Sequence, residues 1–64
     1  MSHINRMKDI ILREGKISKV QLIMKSGISI SYYEKLRPFL AEIYDYCIQY
    51  DRDSKCWYAK EQEI

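Results

Sequence analysis

Glycine and proline are scarce here, with two of the first and one of the second in 64 residues. A chain so poor in both has no flexible linker or polyproline tract, and with 47% hydrophobic residues it is expected to fold rather than stay disordered. Histidine occurs once, as His3, close to the chain start. There is no cluster of histidines or carboxylates at metal-ligand spacing and no glycine-rich phosphate loop, so the chain reads as non-enzymatic, with no metal and no cofactor. Cys47 and Cys56 cannot complete a zinc site alone. They are expected to be small, reduced core or rim residues, bridged only if they stand directly opposite each other. Long apolar runs are also missing: segments such as Ile10-Ile11-Leu12 fall far short of the ~20 residues of a membrane span. The opening MSHINRMK is charged where a signal peptide turns apolar. Together these absences predict one domain over residues 1–64, cytoplasmic and independent of membranes.

What the chain does have is an uneven charge. The formal total is only +2, but Lys16, Lys19, Lys25, Lys35 and Arg37 against Glu34 give residues 16–41 a net +4. Residues 42–64 carry −3, with Arg52, Lys55 and Lys60 outnumbered by Glu42, Asp45, Asp51, Asp53, Glu61 and Glu63. A polyanion would meet the basic middle first, although lysines on solvated helix faces produce the same pattern.

Apolar spacing organises the chain further. Ile4, Met7, Ile10 and Ile11 recur at helical intervals, predicting a first helix to about Arg13, ended by Gly15 in a left-handed conformation. Ser18 and Gln21 have capping-box spacing, so a second helix should begin at about Lys19 and stop before Gly27. Ile17, between Gly15 and Ser18, fits a single extended edge-strand residue. In the third helix Tyr33, Leu36, Leu40 and Ile43 share one stripe and are expected to face the core, while Ser31, Tyr32 and Lys35 look outward. Ser29 and Ser31 compete as its cap, and Ser29 is preferred. Pro38 removes one backbone amide from this helix, yet the stripe continues beyond it, so a kinked helix or two abutting turns is expected rather than a stop.

After Tyr44 the pattern changes to two short aromatic and β-favouring segments, Tyr46–Tyr50 and Cys56–Ala59, separated by the turn formers DRDSK. They predict a hairpin over about 46–59, with Ile48 opposite Trp57 and with Arg52 and Lys55 at the tip. Tyr44, Tyr50 and Tyr58 are expected to be exposed.

In this order of elements, Leu22, Ile23, Gly27, Ile28, Tyr33 and Leu36 resemble the helix-turn-helix pattern of the winged helix-turn-helix family of DNA-binding domains. Five of the six positions match; Ile23 stands where the family packs a small residue. The resemblance covers nearly the whole chain. It implies a mainly α fold, a three-helix bundle with a C-terminal β-hairpin wing, in which the helix-turn-helix covers about 19–37 or extends past Pro38. It also implies double-stranded DNA as partner, with the third helix in the major groove. Ser31 and Tyr32 would then contact bases or phosphates, and Lys35 a guanine edge or the backbone. Ser29 would cap the reading helix, Lys19, Lys25 and Arg37 would hold flanking phosphates, and Arg52 and Lys55 would act from the wing. The function so implied is that of a small transcription regulator. The rival expectation is a winged-helix module for protein contacts, as a homodimer or as an accessory subunit of a replication or transcription complex.

Overall fold

The computed structural model describes residues 3–60. The elements run α1 (His3–Glu14), β1 (Lys16–Ser18), α2 (Lys19–Ser26), α3 (Ile30–Ile43), β2 (Ile48–Asp51) and β3 (Cys56–Ala59). Three helices are thus joined to a three-stranded antiparallel sheet of order β1-β3-β2, an arrangement compatible with a winged helix. No described helix is long and apolar enough to cross a membrane.

The helix boundaries follow from local chemistry. Gly15 closes α1 at φ 79°, and its amide donates to the Ile11 carbonyl at 2.9 Å. Ser18 caps α2 by accepting from the Gln21 amide at 3.2 Å, and Ser29 caps α3 by accepting from the Tyr32 amide at 3.1 Å. Each cap follows an isoleucine that shares the core with the residue four places into the helix, Ile17 with Leu22 and Ile28 with Tyr33, which is the spacing of a hydrophobic staple. Ser29 therefore outcompetes Ser31 because only Ser29 sets an apolar residue before the cap against an apolar residue in the first turn. Gly27 ends α2 at φ 70°, its amide shared between the Ile23 and Met24 carbonyls.

One core unites the layers. Met7, Ile11, Leu22, Tyr33, Leu40, Ile48 and Trp57 lie at its centre, fully buried. Trp57, on the central strand, donates its indole Nε1–H to the Tyr33 hydroxyl at 2.9 Å, tying sheet to α3. Burial pushes the Tyr33 phenol above its ordinary pKa, with the indole bond working against that rise.

Five expectations are corrected. Ile43 is 53% exposed, and Tyr44 takes its place against the core. Tyr44 follows Leu40 at an interval of four, and its hydroxyl can reach the Asn5 side-chain oxygen of α1 at 3.4 Å while the Lys8 ammonium stands over its ring, options an isoleucine lacks. The hairpin begins at Ile48, since Tyr46 and Cys47 belong to the turn leaving α3, where the Cys47 and Ile48 amides both donate to the Tyr44 carbonyl. Trp57 pairs with Tyr50 and Ile17, while Ile48 pairs with Ala59. Finally, the strand at Ile17 has three residues, all laddered to β3. Tyr44, Tyr50 and Tyr58 are half-buried rather than exposed. Tyr50 packs its ring 5.2 Å from that of Trp57. Cys47 and Cys56 are both free; Cys56 is opposite Asp51 and Cys47 precedes the strand, so the two are not opposed. Pro38 lies inside an unbroken α3.

The register shift has a local cause in the β2–β3 turn. The Asp51 carboxylate accepts from the Asp53 amide at 3.0 Å and from the Ser54 hydroxyl at 2.9 Å, and Lys55 takes a left-handed φ of 55°. These features close the turn over residues 52–55 and set Asp51 opposite Cys56, which brings Trp57 opposite Tyr50 rather than Ile48. The same bonds, from Ser54 first and then Asp53, hold the Asp51 carboxyl below its ordinary pKa. A depressed folded value means that the carboxylate stabilises the folded state above about pH 4 and that this help fades as the pH falls through the folded pKa. In a carboxyl NMR titration Asp51 is expected to protonate at lower pH than a free aspartate, with the Asp53 amide shift following the same midpoint. Independent midpoints would break the link between the turn and its carboxylate.

Candidate nucleic-acid interface

The basic residues singled out from the sequence do not form one uniform cloud. The Lys19 amide donates to the Lys55 carbonyl at 3.0 Å, so the β2–β3 turn is fastened to the start of α2. The Lys19 ammonium lies 3.9 Å from one oxygen of Glu34, and Arg37 Nε lies 3.9 Å from the other, so Glu34 bridges α2 to the middle of α3. The Lys55 backbone and the Lys19 and Arg37 side chains thereby follow one another from the turn across α2 to α3. These contacts are long and solvent-exposed, so they orient the side chains without quenching their charge.

On α3 itself, Ser31, Tyr32 and Lys35 are exposed on the outward face, as the helical phase predicts. Tyr32 is 40% exposed, and the His3 ring meets it edge-on with centroids 5.4 Å apart. Lys35 makes no ion pair among the described residues. Ser29 spends its hydroxyl on the Tyr32 amide and thus fixes the first turn of α3, which limits that oxygen as a contact for anything else. Arg52 lies in the turn, exposed, next to a cleft of about 200 Å³ that it lines with Arg37.

Lys25 is the exception. It sits at the far end of α2 and pairs with Glu14, whose carboxyl it holds below the ordinary range. Its charge serves the packing of α2 on α1 and stands apart from the Lys55–Lys19–Arg37 surface. Glu61 and Glu63 of the acidic third lie outside the described residues.

Beside the basic surface runs an apolar groove of about 240 Å³ lined by Val20, Ile23, Met24 and Ile30, with Lys19 at its rim. Val20, Met24 and Ile30 are 60%, 67% and 67% exposed. A second exposed apolar set, Phe39, Ile43 and Tyr46, follows the later turns of α3. Sequence reasoning overlooked both. The signal was present at Val20 and Met24, four residues apart on a short helix whose inner face Leu22 and Ile23 already supply. No family model matches the chain, and no curated protein or solved structure does so either.

Proposed function

We propose that the chain is a winged helix-turn-helix domain that binds duplex DNA, with α3 in the major groove and the β2–β3 turn as the wing, and that it acts in the cytoplasm as a small transcription regulator. The observation that carries this reading is the Lys19–Lys55 backbone bond together with the Glu34 bridge, which supports one basic surface running from turn to α2 to α3. An α-helix about 10–12 Å across fits a major groove about 12 Å wide, and its capped first turn offers Ser31 and Tyr32 while Lys35 follows one turn later. Arg37, Lys19, Arg52 and Lys55 then supply the phosphate contacts, which set orientation more than sequence choice.

The test is a fluorescence titration of labelled duplexes. Tyr32→Ala and Lys35→Ala are each expected to weaken binding by about 1–3 kcal/mol while the far-ultraviolet circular dichroism and melting temperature stay near the parent values. Equal binding by parent and both variants would remove α3 as the reader.

A second reading rests on the apolar groove at Val20, Met24 and Ile30 and on the exposed Phe39, Ile43 and Tyr46. Such patches suit a protein partner or a second copy of the chain. That reading predicts weak duplex binding at moderate salt and no selective loss from α3 substitutions.

A further inference from the structure

The cleft between the second half of α3 and β2 serves neither reading directly. It holds about 200 Å³, below the roughly 300–1,000 Å³ of sites for drug-sized ligands, so it has room only for something smaller than a drug. Its walls differ sharply. Ala41, Ile48 and Tyr50 supply its apolar lining, the floor, beside Gln49, Arg37, Arg52 and Asp45. Arg37 lies inside α3 and Asp45 just past its end, while Arg52 follows the end of β2 remote from Ile48.

The charges do not cancel inside it. Asp45 is answered from outside the cleft by Lys60, whose ammonium lies 3.5 Å from the Asp45 carboxylate and donates to the Asp45 carbonyl at 2.6 Å. Arg37 reaches Glu34 only through Nε, at 3.9 Å. Arg52 makes no ion pair among the described residues. Two arginines with spare donors therefore line the same small half-apolar recess, which is the complement of a planar carboxylate carrying a compact apolar body.

We infer that this cleft binds a small organic carboxylate, its anionic end on Arg37 and Arg52 and its apolar body against Ala41, Ile48 and Tyr50. Free phosphate shares the anion chemistry but has nothing to place on the floor. A ligand seated here occupies two arginines that the proposed DNA interface also uses, so the acid would compete with duplex binding; only this coupling rests on the DNA reading.

The probe is sodium benzoate, titrated into nitrogen-15-labelled protein at constant ionic strength, with benzamide and inorganic phosphate as comparators. Benzoate is expected to shift the amides of residues 37, 41 and 48–50 saturably, whereas benzamide leaves them in place and phosphate binds more weakly. Arg52→Gln should lower benzoate affinity about tenfold, the loss of one charge-assisted contact. Ala41→Leu, at an exposed helix position, keeps both arginines but fills the floor, and it should abolish the benzoate shifts while leaving the phosphate shifts. Phosphate binding as tightly as benzoate, or Ala41→Leu leaving benzoate binding intact, would overturn the cleft and leave only two surface arginines. Benzoate binding without any effect on duplex affinity would keep the site and reject the coupling. If duplex DNA does not bind at all, the amide shifts still decide the cleft by themselves.

Discussion

Trp57→Ala is expected to abolish the cooperative thermal transition, leaving a chain largely unfolded at room temperature. Trp57 is fully buried on the central strand, between Ile17 of β1 and Tyr50 of β2, and its indole holds the Tyr33 hydroxyl. Removing a buried tryptophan side chain costs about 3–5 kcal/mol. A domain of 64 residues has a total stability of roughly 3–10 kcal/mol, so one substitution removes much or all of it. Tyr33→Phe separates the hydrogen bond from the packing. It keeps the ring and deletes only the acceptor, leaving the buried indole N–H unpaired, and should cost about 1–3 kcal/mol in urea unfolding followed by circular dichroism. A Trp57→Ala chain that melts within a few degrees of the parent would show that the sheet and α3 are held together elsewhere.

The contrast between these positions and their neighbours explains how much of the fold is written locally. Ser18, Ser29, Gly15 and Gly27 were legible because each fixes its boundary through its own backbone or hydroxyl, with no information from afar. Tyr33 and Tyr32 were separable by helical phase alone. Ile43 was not, because Tyr44 replaces it through Asn5 and Lys8 of α1, a contact 39 residues distant in the chain for the hydroxyl bond. The strand register was misjudged for a different reason. DRDSK signals a turn, but the two hydrogen bonds on the Asp51 carboxylate and the left-handed Lys55 decide that Asp51 joins the ladder opposite Cys56 and that only 52–55 turn.

The candidate interface divides the same way. Its residues were legible as a charge excess in residues 16–41, but which of them lie together depended on partners. Glu34 gathers Lys19 and Arg37, the Lys55 carbonyl fixes the start of α2, and Glu14 draws Lys25 away. Net charge treats those lysines alike. The distances do not.

That unequal pairing sets the size of the salt effect on DNA binding. If the proposed interface operates, roughly three to five of Lys19, Lys35, Arg37, Arg52 and Lys55 neutralise phosphates, so the logarithm of affinity should fall against the logarithm of salt with a slope of about −3 to −5. Raising salt from 50 to 200 mM then weakens binding by roughly two to three orders of magnitude. Lys35→Ala with Arg37→Ala should flatten the slope by up to about two units. Arg52→Ala with Lys55→Ala should do less, since Asp51 and Asp53 flank that turn, and Lys25→Ala should do least, since Glu14 already holds that ammonium. Glu34→Gln provides a test of opposite sign. It removes the one negative charge between Lys19 and Arg37, so binding should tighten and the slope steepen, while loss of two exposed contacts leaves the melt almost unchanged. A protein-contact module predicts neither sign. A flat salt response, or equal losses from every basic residue with Glu34→Gln neutral, would reduce the basic surface to solvated lysines and turn attention to the apolar groove beside Ile30.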